Sequence, residues 1–499
     1  MSREVNSGQV NKDWGLKNKI GLFLGPALFL LLFFLPISGI GEPARRCLAV
    51  ASWMAVWWIT EAVPIAATSL MPLVLFPLLG ILDAGAAASP YANKNVMLFL
   101  GGFMLAQGIV KWNLHQRLSL LIIRAIGVSP RKIIFGFMAA TAVLSLWISN
   151  TAAAVAVLPI GIAVSTLVSD EIIKQKLDIP TSPGKFNFGI SIVLGIAFAA
   201  TIGGLGTPIG SPPNLIFIGA LEDAFPEISI GFLQWIIFGI PMVVVLLPLA
   251  WIILCLTFKP GFSEIPGGRK LINDEYLKLG PWTRAEKSVM AIFTLTAFLW
   301  IVRTSLINKF LPMVDDSTIA VFGAMLLFIV PVSWEKGHFA LDWQWAVKIP
   351  WGVLLLFGGG LSLAAAISGT GLAGWLSGIL AVFSGLPVLL IVLIIAVFTS
   401  LFSEVTSNTA MAAMMMPVMA ALASATGQSP VALMLSAAIS VSFVFLLPVG
   451  TPPNAVVYGS GYLRIVDMIK GGVWIKLASI VIGTLLIYFL ALPVFLGGI

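Results

Sequence analysis

The stretch Ser-Leu-Trp-Ile-Ser-Asn-Thr-Ala-Ala-Ala at residues 145–154 recurs later in the chain as Ser-Glu-Val-Thr-Ser-Asn-Thr-Ala-Met-Ala at residues 403–412. Each copy lies in the middle of an apolar segment, about residues 131–168 and 388–426. Each segment is too long for one membrane span of roughly 20 residues and too short for two spans joined by a turn. The two copies therefore predict two re-entrant hairpins, each made of two half-helices with Ser-Asn-Thr at the tip.

The overall composition indicates a chain that lives in a lipid bilayer. Of 499 residues, 59% are apolar and 10% are charged, and the mean hydropathy is +1.04. Water-soluble domains are far more polar. The formal charge of +7 does not indicate a nucleic-acid partner, because the basic residues lie in short polar interruptions and form no basic face. Cys47 and Cys255 are far apart in apolar sequence, so neither a disulfide framework nor a metal cluster is predicted.

The other apolar runs predict an all-α integral membrane protein with about eleven transmembrane helices in addition to the two hairpins. These helices are placed at about residues 20–40, 48–63, 65–82, 96–112, 187–222, 230–258, 286–306, 317–333, 346–372, 428–461 and 471–497. The segment at residues 113–130 is amphipathic and is expected to lie along the membrane interface.

The distribution of Lys and Arg predicts the orientation, because cytoplasmic loops carry an excess of both. With the N-terminus inside, most basic residues, Lys476 among them, fall on the cytoplasmic side and the C-terminus falls outside. The basic residues that fall outside are Arg45, Arg46, Lys94, Arg303 and Lys309. The predicted division is a cytoplasmic N-terminus (1–19), a first helix (20–47), a first repeat (48–258), a cytoplasmic linker (259–285) and a second repeat (286–499).

The two hairpins belong to a longer internal duplication. Upstream of the tips, Leu-Phe-Leu-Gly-Gly at residues 98–102 has a counterpart in Leu-Leu-Phe-Gly-Gly at 355–359. Downstream, Gly-Ser-Pro-Pro-Asn at 210–214 has one in Gly-Thr-Pro-Pro-Asn at 450–454. In the predicted topology about five crossings separate the hairpins, and an odd number turns the second half upside down. The sequence thus predicts two inverted-topology repeats, which usually accompany alternating access.

The tips have the chemistry to face a cation and an anion together. A half-helix that ends at a tip offers unpaired carbonyl oxygens, and one that starts there offers amide groups and a positive dipole end. Ser145 and Ser149 are four residues apart, which predicts one helix face beside those carbonyls, and Ser403 and Ser407 repeat the spacing. Hydroxyl and carbonyl oxygens are suitable ligands for a hard cation such as sodium.

Side-chain amides and hydroxyls supply the rest of the predicted site. The Pro-Pro pairs remove backbone donors and free carbonyls inside a spanning helix, while Asn214 and Asn454 are expected to cap the half-helix that follows. Candidate donors to a dianion are Asn150, Thr151, Asn408 and Thr409. The tips and proline-broken loops contain no Lys, Arg or His, so an anion held there must be balanced by bound cations and helix dipoles.

With the stretch Thr60-Glu61-Ala62-Val63-Pro64, these paired motifs make the chain resemble the divalent-anion:sodium symporter family, the INDY-type dicarboxylate and citrate transporters, over about residues 20–497. The resemblance implies a homodimer whose mobile transport domains work by an elevator movement. It also implies symport of C4-type dicarboxylates, such as succinate, fumarate or malate, across the cytoplasmic membrane with sodium as the coupling ion. Sodium-independent exchangers, for example of 2-oxoglutarate and malate, belong to the same family, so that alternative stays open.

The resemblance also implies which residues form the sites. One sodium site is expected near Ser145, Ser149, Asn150 and Gly210, and a second near Ser403, Thr406, Asn408 and Gly450. Substrate contacts are expected at Asn150, Thr151, Ser211, Asn408, Thr409, Thr451 and Pro452.

Two other functional classes compete with a carrier. An intramembrane enzyme is a distant alternative, because Glu61 and Glu404 have no His, Lys or Asp beside them in the sequence to form an acid–base pair. A channel suits a duplicated site with inward-pointing half-helices less well than a carrier that occludes its substrate. Glu404 has no counterpart in the first copy, where Leu146 stands, and two roles remain open for it: sodium ligand or structural hydrogen-bond partner.

Overall fold

The computed structural model describes residues 15–127, 129–262 and 268–497, with side chains from residue 272 onward in the last range. Most of the predicted N-terminus (1–19), part of the linker (259–285) and the C-terminal residue 499 lie outside the described residues. The regular secondary structure that is described is almost entirely helical, which confirms the predicted all-α fold. A two-stranded antiparallel ribbon, β1 Pro331–Ser333 with β2 His338–Phe339, is the exception among these residues.

The first half of the chain forms thirteen helices within the described residues. They are α1 Leu16–Phe34, α2 Glu42–Thr60, α3 Ile65–Thr68, α4 Met71–Leu78, α5 Ala84–Ala88, α6 Lys94–Lys111, α7 Leu114–Ile126, α8 Pro130–Ser145, α9 Asn150–Lys174, α10 Asn187–Gly203, α11 Pro212–Ala224, α12 Phe232–Thr257 and α13 Gly268–Lys278. A 3₁₀ turn at Ser89–Ala92 leads into α6.

The second half forms the remaining helices. They are α14 Arg284–Val302, α15 Asn308–Phe310, α16 Asp316–Ile329, α17 Trp343–Ala346, α18 Trp351–Gly369, α19 Leu372–Leu380, α20 Val388–Phe402, α21 Asn408–Thr426, α22 Pro430–Ser440, α23 Pro452–Tyr458, α24 Ile465–Leu486 and α25 Leu492–Leu496. The π-helical segments Arg303–Ile307 and Ile487–Ala491 continue α14 and α24, and the 3₁₀ turn Ala381–Phe383 ends α19.

Within the described ranges, seven helices are long and apolar enough to cross a bilayer, or up to nine when each bent pair counts as one span. The predicted total of about eleven stays a prediction. The structure also breaks the first predicted helix (20–47): α1 ends at Phe34 and α2 begins at Glu42. Pro36, the left-handed Gly39 and Pro43 in the first turn of α2 explain the break, since none of them suits a helix interior.

Both predicted hairpins form two helices that meet at a short break. The break lies at residues 146–149 in the first hairpin, between α8 and α9, and at 403–407 in the second, between α20 and α21. The helices that follow are broken as well. Where single runs were placed at 187–222 and 428–461, the structure has unwound segments at 204–211, between α10 and α11, and at 441–451, between α22 and α23.

The two halves pack in matching pairs. In the first half α10 packs against α8 and α9, and in the second half α22 packs against α20 and α21. The halves then cross over, because α9 packs against α23 while α21 packs against α11. This crosswise packing brings each hairpin to the helix that follows the other half's Pro-Pro motif. The sequence duplication therefore corresponds to a duplication of contacts.

A buried ion pair fastens the amphipathic α7 to α14. Arg117 and Glu286 are 1% and 5% exposed, and their Nε and Oε1 atoms lie 2.7 Å apart. Arg117 also donates to the carbonyl groups of Leu279, Gly280 and Pro281, where the linker ends. The segment predicted to lie along the interface is thus anchored on one face by a charged, fully hydrogen-bonded contact.

Candidate functional site

The tip serines divide into two roles. Ser145 ends α8, whereas Ser149 is the N-cap of α9 and accepts a hydrogen bond from the amide of Ala152 at 3.3 Å. Ser407 is likewise the N-cap of α21 and accepts from the amide of Ala410 at 3.4 Å. The expectation that Ser145 and Ser149 share one helix face is therefore wrong, because α8 ends between them. Ser149 is exposed, while Ser145 is buried.

The first tip gathers oxygen atoms around Asn150. The hydroxyl of Ser145 lies 2.6 Å from the carbonyl oxygen of Ala200 and 2.8 Å from the amide of Asn150. With its nitrogen turned toward them, the Asn150 amide meets Ser145 Oγ, the Ala200 carbonyl and the Gly210 carbonyl at 2.8, 3.2 and 3.1 Å. With its oxygen turned the same way, it accepts from the Ser145 hydroxyl and faces the carbonyl oxygens of Ala200 and Gly210. The Ser145 hydroxyl and two backbone carbonyls thus lie within hydrogen-bonding distance of the same end of the Asn150 amide.

The second tip repeats this cluster. The hydroxyl of Ser403 lies 2.8 Å from Asn408 Oδ1 and 2.8 Å from the carbonyl oxygen of Val441. A hydroxyl has one hydrogen, so one of these two acceptors is left without a donor from Ser403. Val441 begins the unwound segment after α22, as Ala200 lies near the end of α10. Both tips therefore put serine and asparagine oxygens beside a backbone carbonyl at or near the end of a helix.

The asparagine of each Pro-Pro-Asn motif fastens its unwound segment. Asn214 Nδ2 donates to the carbonyls of Gly204 and Thr207 at 2.9 and 2.8 Å, ten and seven residues earlier. Asn454 Nδ2 donates to Val444 and Leu447 at 3.3 and 3.1 Å, at the same two offsets. Asn214 and Asn454 therefore do not cap a helix as predicted; their side-chain amides hydrogen-bond across the unwound segment instead. The carboxamide oxygens of both asparagines are buried without a hydrogen-bond partner in the described part of the chain.

Glycines let the backbone approach the first tip closely. A β-carbon at Gly204 would collide with the side-chain amide of Asn150. One at Gly210 would lie 2.7 Å from the Gly204 carbonyl oxygen and 3.0 Å from that of Ser145. Gly450 is enclosed in the same way by Val444 and Glu404. Gly204 was not among the predicted site residues, although the Gly-Gly-Leu-Gly run at 203–206 signals close backbone packing.

The remaining predicted residues lie around these clusters in different settings. Thr151 and Thr409 are half-buried in the first turns of α9 and α21. Ser211 and Thr451 are both 4% exposed at the N-caps of α11 and α23, and the Thr451 hydroxyl accepts from the amide of Asn454. Pro452 is exposed and begins α23. The Thr406 hydroxyl donates to the carbonyl of Phe402, the last residue of α20.

Sequence reasoning missed a buried lysine that contacts the second tip. Lys476, in the middle of α24, is 3% exposed, and its Nζ lies 2.9 Å from Glu404 Oε1. The positive-inside pattern places it among the basic residues of the cytoplasmic side, and the structure shows it buried inside a helix. An isolated lysine within the apolar run 471–497 was the available signal, because ionisable groups inside a membrane helix need a partner. For Glu404 the structure shows the hydrogen-bonding role: it accepts from the amides of Phe445, Leu446 and Leu447.

The donor set suits an alkali cation better than a transition metal. In the part of the chain that the structure describes, no three His, Cys, Asp or Glu side chains come together as a metal site. Hydroxyl, carboxamide and carbonyl oxygens are instead what the two tips offer. A separate polar cavity of about 50 Å³ reaches Pro208 of the first unwound segment and is lined by the ion-paired residues Lys94, Glu222, Arg303 and Asp316.

Comparison with known proteins places the chain among transporters. The family profile described as the sodium:sulfate symporter transmembrane region matches residues 16–496. The sodium-dependent dicarboxylate transporter SdcS of Staphylococcus saprophyticus is 44% identical over 490 residues, covering 97% of this chain and 93% of that protein. SdcS of Staphylococcus aureus (strain MRSA252) is 46% identical over 496 residues with the same coverage.

Two solved structures share the fold at low sequence identity. The YdaH transporter of Alcanivorax borkumensis aligns with a TM-score of 0.59 at 14% identity, covering 97% of this chain and 99% of that one. MtrF of Neisseria gonorrhoeae aligns with a TM-score of 0.53 at 13% identity, covering 94% and 99%. At such identities the similarity concerns the fold alone.

Proposed function

The chain belongs to the sodium:sulfate symporter family, and on that premise we propose that it carries C4-type dicarboxylates, such as succinate, fumarate or malate, across the cytoplasmic membrane together with sodium. The family and the similar proteins are transporters, so the chain is not an enzyme. Its many apolar helices make it a multi-pass membrane protein.

The observation that carries the sodium coupling is the cluster of serine, asparagine and backbone oxygen atoms at each tip. Ser145, Asn150 and the carbonyls of Ala200 and Gly210 converge within hydrogen-bonding distance. A sodium ion at their centre would use all of these oxygens as ligands, with the Asn150 amide oxygen turned inward.

We assign the second sodium site to the matching cluster of Ser403, Asn408 and the Val441 carbonyl, beside Gly450. Ser149 and Thr406, which the family resemblance also implies as ligands, use their hydroxyls in local hydrogen bonds. Ser149 therefore acts on its site indirectly, by capping α9, and Thr406 acts indirectly, by hydrogen bonding to the last residue of α20.

The substrate is proposed to lie between the two tips. The helices α9, α11, α21 and α23 all begin at this region, and the N-terminal ends of helices favour anions. Donors for the two carboxylates are the tip residues Asn150, Thr151, Asn408 and Thr409, joined by Ser211 and Thr451 at the N-caps, with Pro452 as an apolar contact. The Ser211 hydroxyl makes no cap within its own helix, which leaves it available to a ligand.

Alternating access and assembly complete the proposal. We propose that the two halves are inverted repeats, that a homodimer in the bilayer moves its transport domains as elevators, and that the N-terminus lies inside and the C-terminus outside. The matching helix pairs of the two halves and their crosswise contacts support a two-fold relation between the repeats.

Uptake of labelled succinate into proteoliposomes tests the proposal. An inward sodium gradient should accelerate uptake, and replacement of sodium by potassium should abolish it. A second preparation carries unlabelled succinate inside. If internal succinate drives uptake equally well with and without sodium, the protein is a sodium-independent exchanger and the coupling proposal is wrong. If no labelled dicarboxylate enters under any gradient, the substrate assignment is wrong.

A further inference from the structure

The second tip differs from the first in one respect that the duplication does not explain. Glu404 and Lys476 are 4% and 3% exposed and form an ion pair with 2.9 Å between Oε1 and Nζ. The Lys476 ammonium also donates to the Ser400 carbonyl at 2.6 Å and to the Phe443 carbonyl at 3.2 Å. It thus joins α24, α20 and the unwound segment 441–451.

The first half has an apolar pair in the same two places. Leu146 follows Ser145 as Glu404 follows Ser403. On the helices, Gly239 of α12 packs against the carbonyls of Leu205 and Gly206, and Gly472 of α24 packs against the Phe445 carbonyl, so these two glycines correspond. Val243 and Lys476 each follow four residues later. The side chains of Leu146 and Val243 both reach Gly206, just as Glu404 reaches Leu446.

Backbone hydrogen bonding explains why only the second half needs a carboxylate. In the glycine-rich segment of the first half, the amides of Leu205 and Gly206 bond to carbonyls of the preceding turn at 3.1 and 3.0 Å. In the second half, the consecutive amides of residues 445, 446 and 447 point to Glu404 at 3.1 to 3.3 Å. The Glu404 carboxylate therefore takes the place of the carbonyl acceptors of the turn, and the Lys476 ammonium balances its buried negative charge.

This ion pair borders the proposed second sodium site. Glu404 is the chain neighbour of Ser403, and a β-carbon at Gly450 would lie 3.1 Å from Glu404 Oε2. The same carboxylate holds the segment whose Val444 and Leu447 carbonyls are stapled by Asn454. A charge at this position acts on the site through space as well as through the backbone, because the surroundings are buried and poorly screened.

We propose that Glu404 and Lys476 are positioning residues that set the sodium affinity of the second site, and that the first site, with Leu146 and Val243, has no such control. The inference rests on the proposed sodium coupling. Since the pair is neutral as a unit, removal of one partner leaves a charge of known sign beside the site. Lys476→Met leaves a carboxylate that attracts sodium, whereas Glu404→Gln leaves an ammonium that repels it.

The test is the sodium concentration for half-maximal succinate uptake in proteoliposomes, normalised to folded protein. Lys476→Met should lower this concentration and Glu404→Gln should raise it, each by about tenfold. The double variant Glu404→Gln/Lys476→Met should return to within about twofold of the starting protein, as a coupled pair requires. Opposite shifts are a result that a purely structural role does not produce.

The control is a second buried ion pair. Glu286→Gln breaks the contact with Arg117, away from the tips, and should lower the yield of folded protein while the sodium dependence stays the same. If Glu404→Gln and Lys476→Met behave like Glu286→Gln, or shift the sodium dependence in the same direction, the inference is wrong. If the unmodified protein shows no sodium dependence at all, the proposed function itself fails, which is a distinguishable outcome.

A further double variant provides a test if the single variants, each with one unpaired charge, do not fold. The double variant Glu404→Leu/Lys476→Val copies the residues of the first half and buries no charge. Because the three amides of residues 445–447 then lose their acceptor, the half-maximal sodium concentration should rise about tenfold. Sodium-dependent thermal stabilisation of the purified protein reports the same affinity without transport. Unchanged sodium affinity in this variant overturns the inference.

Discussion

Replacement of Asn150 by alanine is the most direct perturbation of the first tip. The Asn150 amide faces Ser145 Oγ and the carbonyls of Ala200 and Gly210 at 2.8, 3.2 and 3.1 Å, and α9 begins at this residue. Alanine removes a proposed sodium ligand and a proposed donor to the substrate in one step. Hydrogen bonds to charged groups contribute about 1.5 to 3 kcal/mol, which corresponds to roughly one to two decades in affinity.

The assay is transport in proteoliposomes at varied sodium and varied succinate, with rates divided by the amount of folded protein. Asn150→Ala should weaken the apparent affinity for both ligands, and Asn408→Ala should do the same through the second tip. Asn308→Ala is the matched control, because Asn308 also donates to two carbonyls, those of Pro312 and Val314, but lies outside the site. It should reduce stability and leave both affinities unchanged. If Asn150→Ala behaves like the control, Asn150 only supports the fold and the reasoning is refuted.

Three further predictions follow from the same geometry. Gly204→Ala should weaken sodium and succinate together, because its β-carbon displaces the Asn150 amide, whereas Gly374→Ala, with open space around it, should be silent; equal transport by both variants contradicts the proposed packing. Succinate should raise the affinity for sodium by the same factor by which sodium raises the affinity for succinate, measured by binding to purified protein; unequal factors exclude a shared equilibrium. Single cysteines in the linker 259–285 and after residue 499 should be labelled from opposite sides of the membrane in intact cells; labelling from one side removes the inverted-repeat proposal.

The features that could be predicted from sequence are those that local chemistry repeats. Two Ser-Asn-Thr copies inside apolar segments of unusual length predicted two helix breaks, and the structure has them at residues 146–149 and 403–407. The Pro-Pro pairs predicted interrupted helices for the same reason, since proline removes a donor and cannot continue a helix. Family membership followed from these motifs and is confirmed by the matching family profile over residues 16–496.

The residue at which a helix ends was harder to predict from sequence. Ser145 and Ser149 have the spacing of one helix face, but the side chain of Ser149 caps the next helix. The two serines therefore do not lie on one face of the same helix. Capping and continuation are close in free energy for a serine, so tertiary contacts decide between them. Here the buried contact of Ser145 with the Ala200 carbonyl holds the end of α8 in place.

The sequence by itself determined the membrane class, the duplication and the residues at the two tips, because these depend on composition and on short-range spacing. Tertiary structure alone decided which backbone carbonyls face the tips, since the oxygens of Ala200 and Val441 have no side-chain signature. It also decided which group Lys476 pairs with, because its partner Glu404 is 72 residues away in the sequence. A buried lysine in an apolar helix is unstable without a counter-charge, so the sequence indicates that a partner exists. Only the folded chain brings a particular carboxylate next to it.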